Sequence, residues 1–299
     1  MNFGLLGFAC DEGVRRNHGR PGAFLGPNVF REVLSKINMP VFRDFGDIEC
    51  LDSDLETAQK NLGLKIVEIL SQNYMPVVVG GGHETAYGHF LGISKFLGQK
   101  NCGIINFDAH FDLRPLTSPL TPLHQVERGN NSRTAFSPSP LGGEGPGVRS
   151  LGTSGTPFLQ IAHERQEKKL KFDYLVLGIQ PFANSQALFN QARDLEVSYV
   201  LAENLDKQAP AAIDKILSQH EFIYLSICLD IFAEAFAPGV SAPQVLGVFP
   251  HQVLPLLRQI MQSNKVISCD IVELAPIYDR QNTTAKLAAS LMATLSRDK

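Results

Sequence analysis

Seven short apolar runs recur along the chain, and they limit what it can fold into more than any other feature. They read "FGLLGF", "MPVVVG", "CGIINF", "FDYLVLG", "VSYVLA", "FIYLSICL" and "KVISCDIV". Each has the length of a strand and is apolar on both faces, which suits a parallel sheet covered by helices on each side. Helix-like stretches lie between most of them. In "DLETAQKNLGLKIVEILSQ" the apolar residues return at helical spacing behind Ser53 and Asp54, both good N-cap types. "HQVLPLLRQIMQS" and "TTAKLAASLMATLS" read similarly, with Pro255 expected to disturb the first turns of the former. The expected fold is a single α/β domain over residues 1–299, with active-site groups at the carboxyl ends of the strands.

Residues 117–150, "TSPLTPLHQVERGNNSRTAFSPSPLGGEGPGVRS", break this pattern. They are crowded with Pro, Gly and Ser and show neither period, so a disordered low-complexity insertion is expected, with a lid as the other reading. The net charge of -3 supplies no basic excess to attract nucleic acid or an anionic membrane. No apolar run reaches the roughly 18 residues of a membrane span. "MNFGLLGFAC" lacks the basic start of a signal peptide and reads as a first strand. Cys10, Cys50, Cys102, Cys228 and Cys269 are odd in number and scattered, without a CxxC pair, which points to a reducing cytoplasm rather than a disulfide framework. The expected partner is a small-molecule substrate, and self-association stays open.

The chemistry sits at three strand ends. "IINFDAHFD" sets Asp108, His110 and Asp112 two residues apart, on one face if the strand persists. Two carboxylates around an imidazole can ligate a divalent cation, or they can be a core histidine with capping acids. "VVVGGGHE" turns sharply on three glycines and delivers His83. "LSICLDIF" sets Ser226, Cys228 and Asp230 at the same spacing of two. Three termini that each offer N, O or S donors make a metal site the better reading.

At this point a resemblance appears. GGGH, then DAHFD, then SxCxD followed by "AFAPGVSAP" resembles the ureohydrolase superfamily of arginases and agmatinases, and its formimidoylglutamase branch in particular. "GVRRNHGRPGAFLGPNVFR", "GTSGTPFLQIA" and "CDIVELAPIYDRQNTTAKLAA" carry it over nearly the whole chain outside 117–150. The resemblance implies a three-layer α/β/α sandwich with a mainly parallel central sheet and a pair of divalent ions, Mn²⁺ by family habit. His83, Asp108, Asp112 and position 228 would hold one ion, and Asp108, His110, position 228 and Asp230 the other. A hydroxide bridging both ions would attack N-formimidoyl-L-glutamate and release formamide and glutamate. Asp112 would pass the proton to the leaving amine, and Glu273 in "DIVELAP" would pair with the amidinium.

Two positions depart from the family pattern. A histidine precedes GxP in arginases and agmatinases, and here Ser154 stands there. The family also has an Asp bridging both ions where this chain has Cys228, which is expected to weaken or alter one metal site. Arg15, Arg16, Arg20 and Arg114 are the candidates for the two substrate carboxylates, because guanidinium forks match carboxylates. A guanidino-acid or agmatine-type hydrolase remains an alternative. So does a catalytically degraded member that acts as a binding protein.

Overall fold

The computed structural model describes residues 2–37, 42–116 and 151–297, so the 117–150 segment lies outside the described residues. Its strands are β1 (Asn2–Ala9), β2 (Phe42–Glu49), β3 (Tyr74–Val79), β4 (Cys102–Phe107), β5 (Tyr174–Ile179), β6 (Ser198–Leu201), β7 (Phe222–Cys228) and β8 (Val266–Val272). They form one sheet in the order β2-β1-β3-β8-β7-β4-β5-β6, and each neighbouring pair is parallel. The helices are α1 (Glu12–Arg16), α2 (Gly26–Leu34), α3 (Leu55–Ser71), α4 (Thr85–Leu97), α5 (Pro157–Glu167), α6 (Gln186–Asp194), α7 (Leu205–Gln219), α8 (Pro250–Gln262) and α9 (Thr283–Arg297).

Alternate strand residues feed two separate cores. Phe3, Leu5, Val77, Val79, Leu225 and Ile227 pack with α2, α7, α8 and α9 on one face. Leu6, Phe8, Val78, Ile104 and Tyr224 pack with α3, α4, α5 and α6 on the other. This is why the strands read as continuous apolar runs. Both faces are dry, and each fully buried large apolar side chain contributes about 1.5–3 kcal/mol.

The helix readings at α3, α8 and α9 correspond to observed helices, and α3 is capped by the Asp54 side chain, which accepts from Thr57 N at 3.1 Å. Pro255 sits inside α8 without interrupting it, contrary to expectation. The carbonyl it leaves without an N–H belongs to His251, an exposed first-turn residue that water can satisfy. Strand β2 has no counterpart among the seven apolar runs. It is an edge strand with five of its residues exposed, held by Arg31, whose guanidinium lies 2.7 Å from both Asp44 and Asp47. No helix among the described residues is long and apolar enough to cross a membrane.

Candidate metal centre and active site

The four adjacent strands β3, β8, β7 and β4 end together, and every candidate ligand lies at or just beyond one of those ends. The chain leaves β3 through Gly80 and Gly81 at φ 93° and 76°, where a side chain is strained. A Cβ on Gly80 would stand 2.4 Å from Pro27 Cδ, and one on Gly81 2.5 Å from Thr85 Oγ1. This tight turn delivers His83, whose ring packs edge-on against Phe158 at 5.3 Å.

Strand β4 stops at Phe107, so Asp108, His110 and Asp112 do not share a strand face. They lie in the following loop, where Asp112 takes φ 50° and the curl brings all three inward. Strand β7 likewise stops at Cys228, and Asp230 lies in the 3₁₀ turn Leu229–Ile231. The residues picked out by the spacing of two therefore converge for a reason other than strand alternation.

His83 Nδ1 stands 2.9 Å from Asp108 Oδ2 and 2.9 Å from Asp112 Oδ2. His110 Nδ1 is 3.1 Å from Asp230 Oδ2 and 3.5 Å from Asp108 Oδ1. Despite its two short distances, buried His83 Nδ1 makes no hydrogen bond of normal geometry, and the other oxygen of Asp230, Oδ1, has no partner either. Donors placed this way face a shared centre rather than one another. Two overlapping sets result, His83 with Asp108 and Cys228, and Asp108 with His110 and Asp230, each with its donor atoms within 4.8 Å of one another. Donors of N, O and S type at this spacing, with His83 Nδ1 and Asp230 Oδ1 lacking a hydrogen bond, fit divalent cations.

The electrostatics agree. Burial opposes charge on His83, but Asp108 and Asp112 outweigh it and push the imidazole well above its ordinary pKa. His110 is raised in the same way, against burial, by Asp230 and Asp108. Asp108 is held low against its own burial by His83 and His110. These carboxylates thus favour positive charge at one point, while burial and then Asp108 raise the pKa of Asp112. Burial and then Asp230 push Glu273 up to about 7, and burial, Asp108 and Asp230 push the Cys228 thiol well up.

Behind the ligands Ser226, named in the sequence with Cys228 and Asp230, joins Tyr224, His89 and Asp270, which the sequence reading does not single out, in one polar cluster. Ser226 Oγ donates to Asp270 Oδ1 at 2.6 Å and stands 3.0 Å from His83 Nε2. The one hydroxyl proton is committed to Asp270, so Ser226 accepts from His83 Nε2–H. That fixes the tautomer and leaves the Nδ1 lone pair for a cation. Tyr224 Oη–H donates to Asp270 as well, and His89 Nδ1 lies 2.8 Å from it. A carboxylate in the middle of an apolar strand was the available signal, because a buried charge needs partners.

The cavity over the centre is lined by His83, His110, Asp112, Cys228 and Asp230, with Asp108 buried behind them, together with Asn17, Arg114, Ser154, Ser241 and Glu273. Glu273, at φ 71°, accepts the His83 backbone N–H on Oε1 at 2.8 Å, while its buried Oε2 has no partner. Arg114 Nη1 donates to Asn17 Oδ1 at 3.1 Å, and Asn17 Nδ2 donates to Ser154 Oγ at 3.1 Å. The other three arginines lie outside this lining. Exposed Arg15 pairs with Glu12 at 3.3 Å, and Arg16 is bound to Glu12 and Glu56. Arg20 donates to the Val240 and Ser241 carbonyls and stacks over Tyr278. Their guanidinium groups have these partners in the structure, and of the four arginines Arg114 is the one that lines the cavity. Asn17 and Ser241 are ordinary polar loop residues with no motif to announce them.

The model of the arginase family matches residues 1–296. Formimidoylglutamase from Legionella pneumophila (strain Lens) is 42% identical over 299 residues, covering 97% of this chain and 83% of that protein. Formimidoylglutamase from Clostridium tetani (strain Massachusetts / E88) is 38% identical over 303 residues, covering 97% of this chain and 80% of that protein. In fold, the chain is similar to the crystal structure of Trypanosoma cruzi formiminoglutamase with Mn²⁺, with a TM-score of 0.80 at 23% identity, covering 99% of this chain and 93% of that one.

Proposed function

The chain belongs to the arginase family, and from that premise we propose that it hydrolyses N-formimidoyl-L-glutamate to L-glutamate and formamide with the help of divalent metal ions. The observation that carries the reading is the convergence of His83, Asp108, His110, Asp112, Cys228 and Asp230 beneath a cavity that also holds Glu273 and Arg114. Its relatives named formimidoylglutamase supply the choice of substrate.

His83, Asp108, Asp112 and Cys228 would hold one ion and Asp108, His110 and Asp230 the other, with Mn²⁺ the ion of the solved neighbour. When bound, two adjacent dications acidify water and so supply a nucleophile near neutral pH. Asp112, at the edge of this set, takes up the proton and passes it to the departing amine nitrogen. Glu273 turns its unpartnered Oε2 to the amidinium, where opposite charge orients the reacting carbon. Arg114 receives a carboxylate of the glutamate moiety through its fork of donors, and Ser154 supplies a hydroxyl beside it. The cysteines are free and four of the five are buried, which suits a reducing cytoplasm.

The test is turnover of formimidoyl-glutamate, with glutamate and formamide quantified, against a panel of guanidino acids and agmatine in added Mn²⁺. Preference for a guanidino compound assigns the alternative hydrolase activity. Metal binding without any turnover assigns a binding protein.

A further inference from the structure

Cys228 brings sulfur into a centre whose other donors are nitrogen and oxygen. The residue closes β7, is 1% exposed, and its Sγ groups with a donor atom of His83 and one of Asp108. His83 Nδ1, itself in a side chain 2% exposed, has no hydrogen-bond partner. The second set, Asp108 with His110 and Asp230, forms without the sulfur. Asp108 offers a different oxygen to each side, with Oδ2 2.9 Å from His83 Nδ1 and Oδ1 3.5 Å from His110 Nδ1. One carboxylate can thus span both positions, and the thiol need not.

Resting on the metal-centre reading above, we propose that the two cation positions are chemically unequal. The position formed by His83, Asp108 and Cys228 selects a thiophilic ion of the Zn²⁺ or Fe²⁺ kind, and the position formed by Asp108, His110 and Asp230 takes Mn²⁺. Thiolate is a soft donor, and the N, O, S set of His83, Asp108 and Cys228, with Asp112 2.9 Å from His83 Nδ1 as a further oxygen donor, is of the kind zinc adopts. Imidazole with two carboxylates offers harder donors, which suit Mn²⁺. On coordination the Cys228 thiol releases its proton to solvent and the thiolate forms the metal–sulfur bond.

The metals alone are the probes. Protein stripped by chelator is titrated with Co²⁺, and then with Mn²⁺ and Zn²⁺ in competition, with bound metal quantified. The native protein should show thiolate-to-cobalt charge-transfer absorption that saturates with one of two bound ions. Cys228→Ser should lose the band and keep an ion at the other position. Any such site favours Zn²⁺ over Mn²⁺ to some degree, so the readout is a change in preference. Cys228→Asp should lower the Zn²⁺-to-Mn²⁺ preference by about tenfold or more, the scale on which even groups behind the ligands alter affinity. Co²⁺ binding to the native protein without the band overturns the proposal with no variant needed. An unchanged preference in Cys228→Asp overturns it too. Absence of any metal binding overturns the metal-centre reading itself.

Discussion

His83 donates its backbone N–H to Glu273 Oε1 at 2.8 Å, which ties the end of β3 to the end of β8. Glu273 returns its own N–H to the Gly81 carbonyl at 2.9 Å, so the two turns brace each other. One carboxylate oxygen is therefore structural, and the other is buried without a hydrogen-bond partner in a residue that lines the cavity. The structural contact of Glu273 is thus separable from the role proposed for it.

Glu273→Gln keeps an acceptor for His83 N–H and removes the charge. Metal content and unfolding midpoint should stay near native, while kcat/KM falls by about a hundredfold or more, as when an aligned electrostatic partner is lost. Glu273→Ala leaves a buried N–H unpaired and should cost an additional 1–3 kcal/mol or so in denaturant unfolding. His83→Ala should lose metal and activity together. Equal metal loss in Glu273→Gln and His83→Ala would sink the role given to Glu273.

Gly81 allows a test of the turn that carries the histidine. Gly81→Ala forces φ 76° on an alanine and drives Cβ to 2.5 Å from Thr85 Oγ1 and 2.8 Å from Phe8 Cδ1. The left-handed conformation alone costs about 1–2 kcal/mol, and the clash adds to it. Metal affinity should fall with stability, because the turn positions His83. Gly46, at φ 80° with nothing within 4 Å of a built Cβ, is the control. Gly46→Ala should cost about 1–2 kcal/mol and leave metal affinity alone. Calorimetric titration with Mn²⁺ beside urea unfolding distinguishes the two variants.

Legibility followed local pattern. Leu5 and Leu6, or Val77 and Val78, announce a parallel sheet because neighbours on opposite faces are both buried. Strand β2 announces nothing, since "FRDFGDIE" is a charged edge whose pairing with β1 depends on distant residues. His83, Asp108 and Asp230 stand in compact motifs at strand ends and can be found by eye. Arg16 looks like a substrate receptor until its partner Glu56, forty residues away, is brought against it. Arg20 likewise meets the Val240 and Ser241 carbonyls far along the chain, whereas Arg15 pairs locally with Glu12 on its own helix.

Arg114 is the one of the four arginines named in the sequence that lines the cavity, where it is proposed to meet a substrate carboxylate. Arg114→Ala should raise KM for formimidoyl-glutamate by about tenfold to a hundredfold, the equivalent of a hydrogen bond to a charged group worth about 1.5–3 kcal/mol. Its kcat should change less, because the residue holds a part of the substrate that does not react. Arg15→Ala, at an exposed surface pair, should leave both parameters alone. Steady-state kinetics on the three proteins decides. An unchanged KM in Arg114→Ala would place the carboxylate site elsewhere.

Asp270 offers the sharpest test of how the sheet interior serves the metal centre. It is fully buried on β8 and is approached by Ser226 Oγ at 2.6 Å, His89 Nδ1 at 2.8 Å and the Tyr224 hydroxyl. By accepting the Ser226 proton it makes Ser226 an acceptor for His83 Nε2–H, and so keeps Nδ1 free to ligate. Asp270→Ala strands three buried polar groups and should destabilise the metal-free protein by about 3–5 kcal/mol. It should also weaken metal binding by about 10–100-fold, because Ser226 can then turn its proton toward His83. Tyr224→Phe removes one of the same donors without touching the link between Ser226 and His83. It should therefore lower stability by about 0.5–1.5 kcal/mol and leave metal affinity near native. Urea unfolding of the metal-free proteins, followed by Mn²⁺ titration of each, measures both quantities. If Asp270→Ala folds and binds Mn²⁺ as the native protein does, His83 is held by the loop alone and the cluster behind it is only structural.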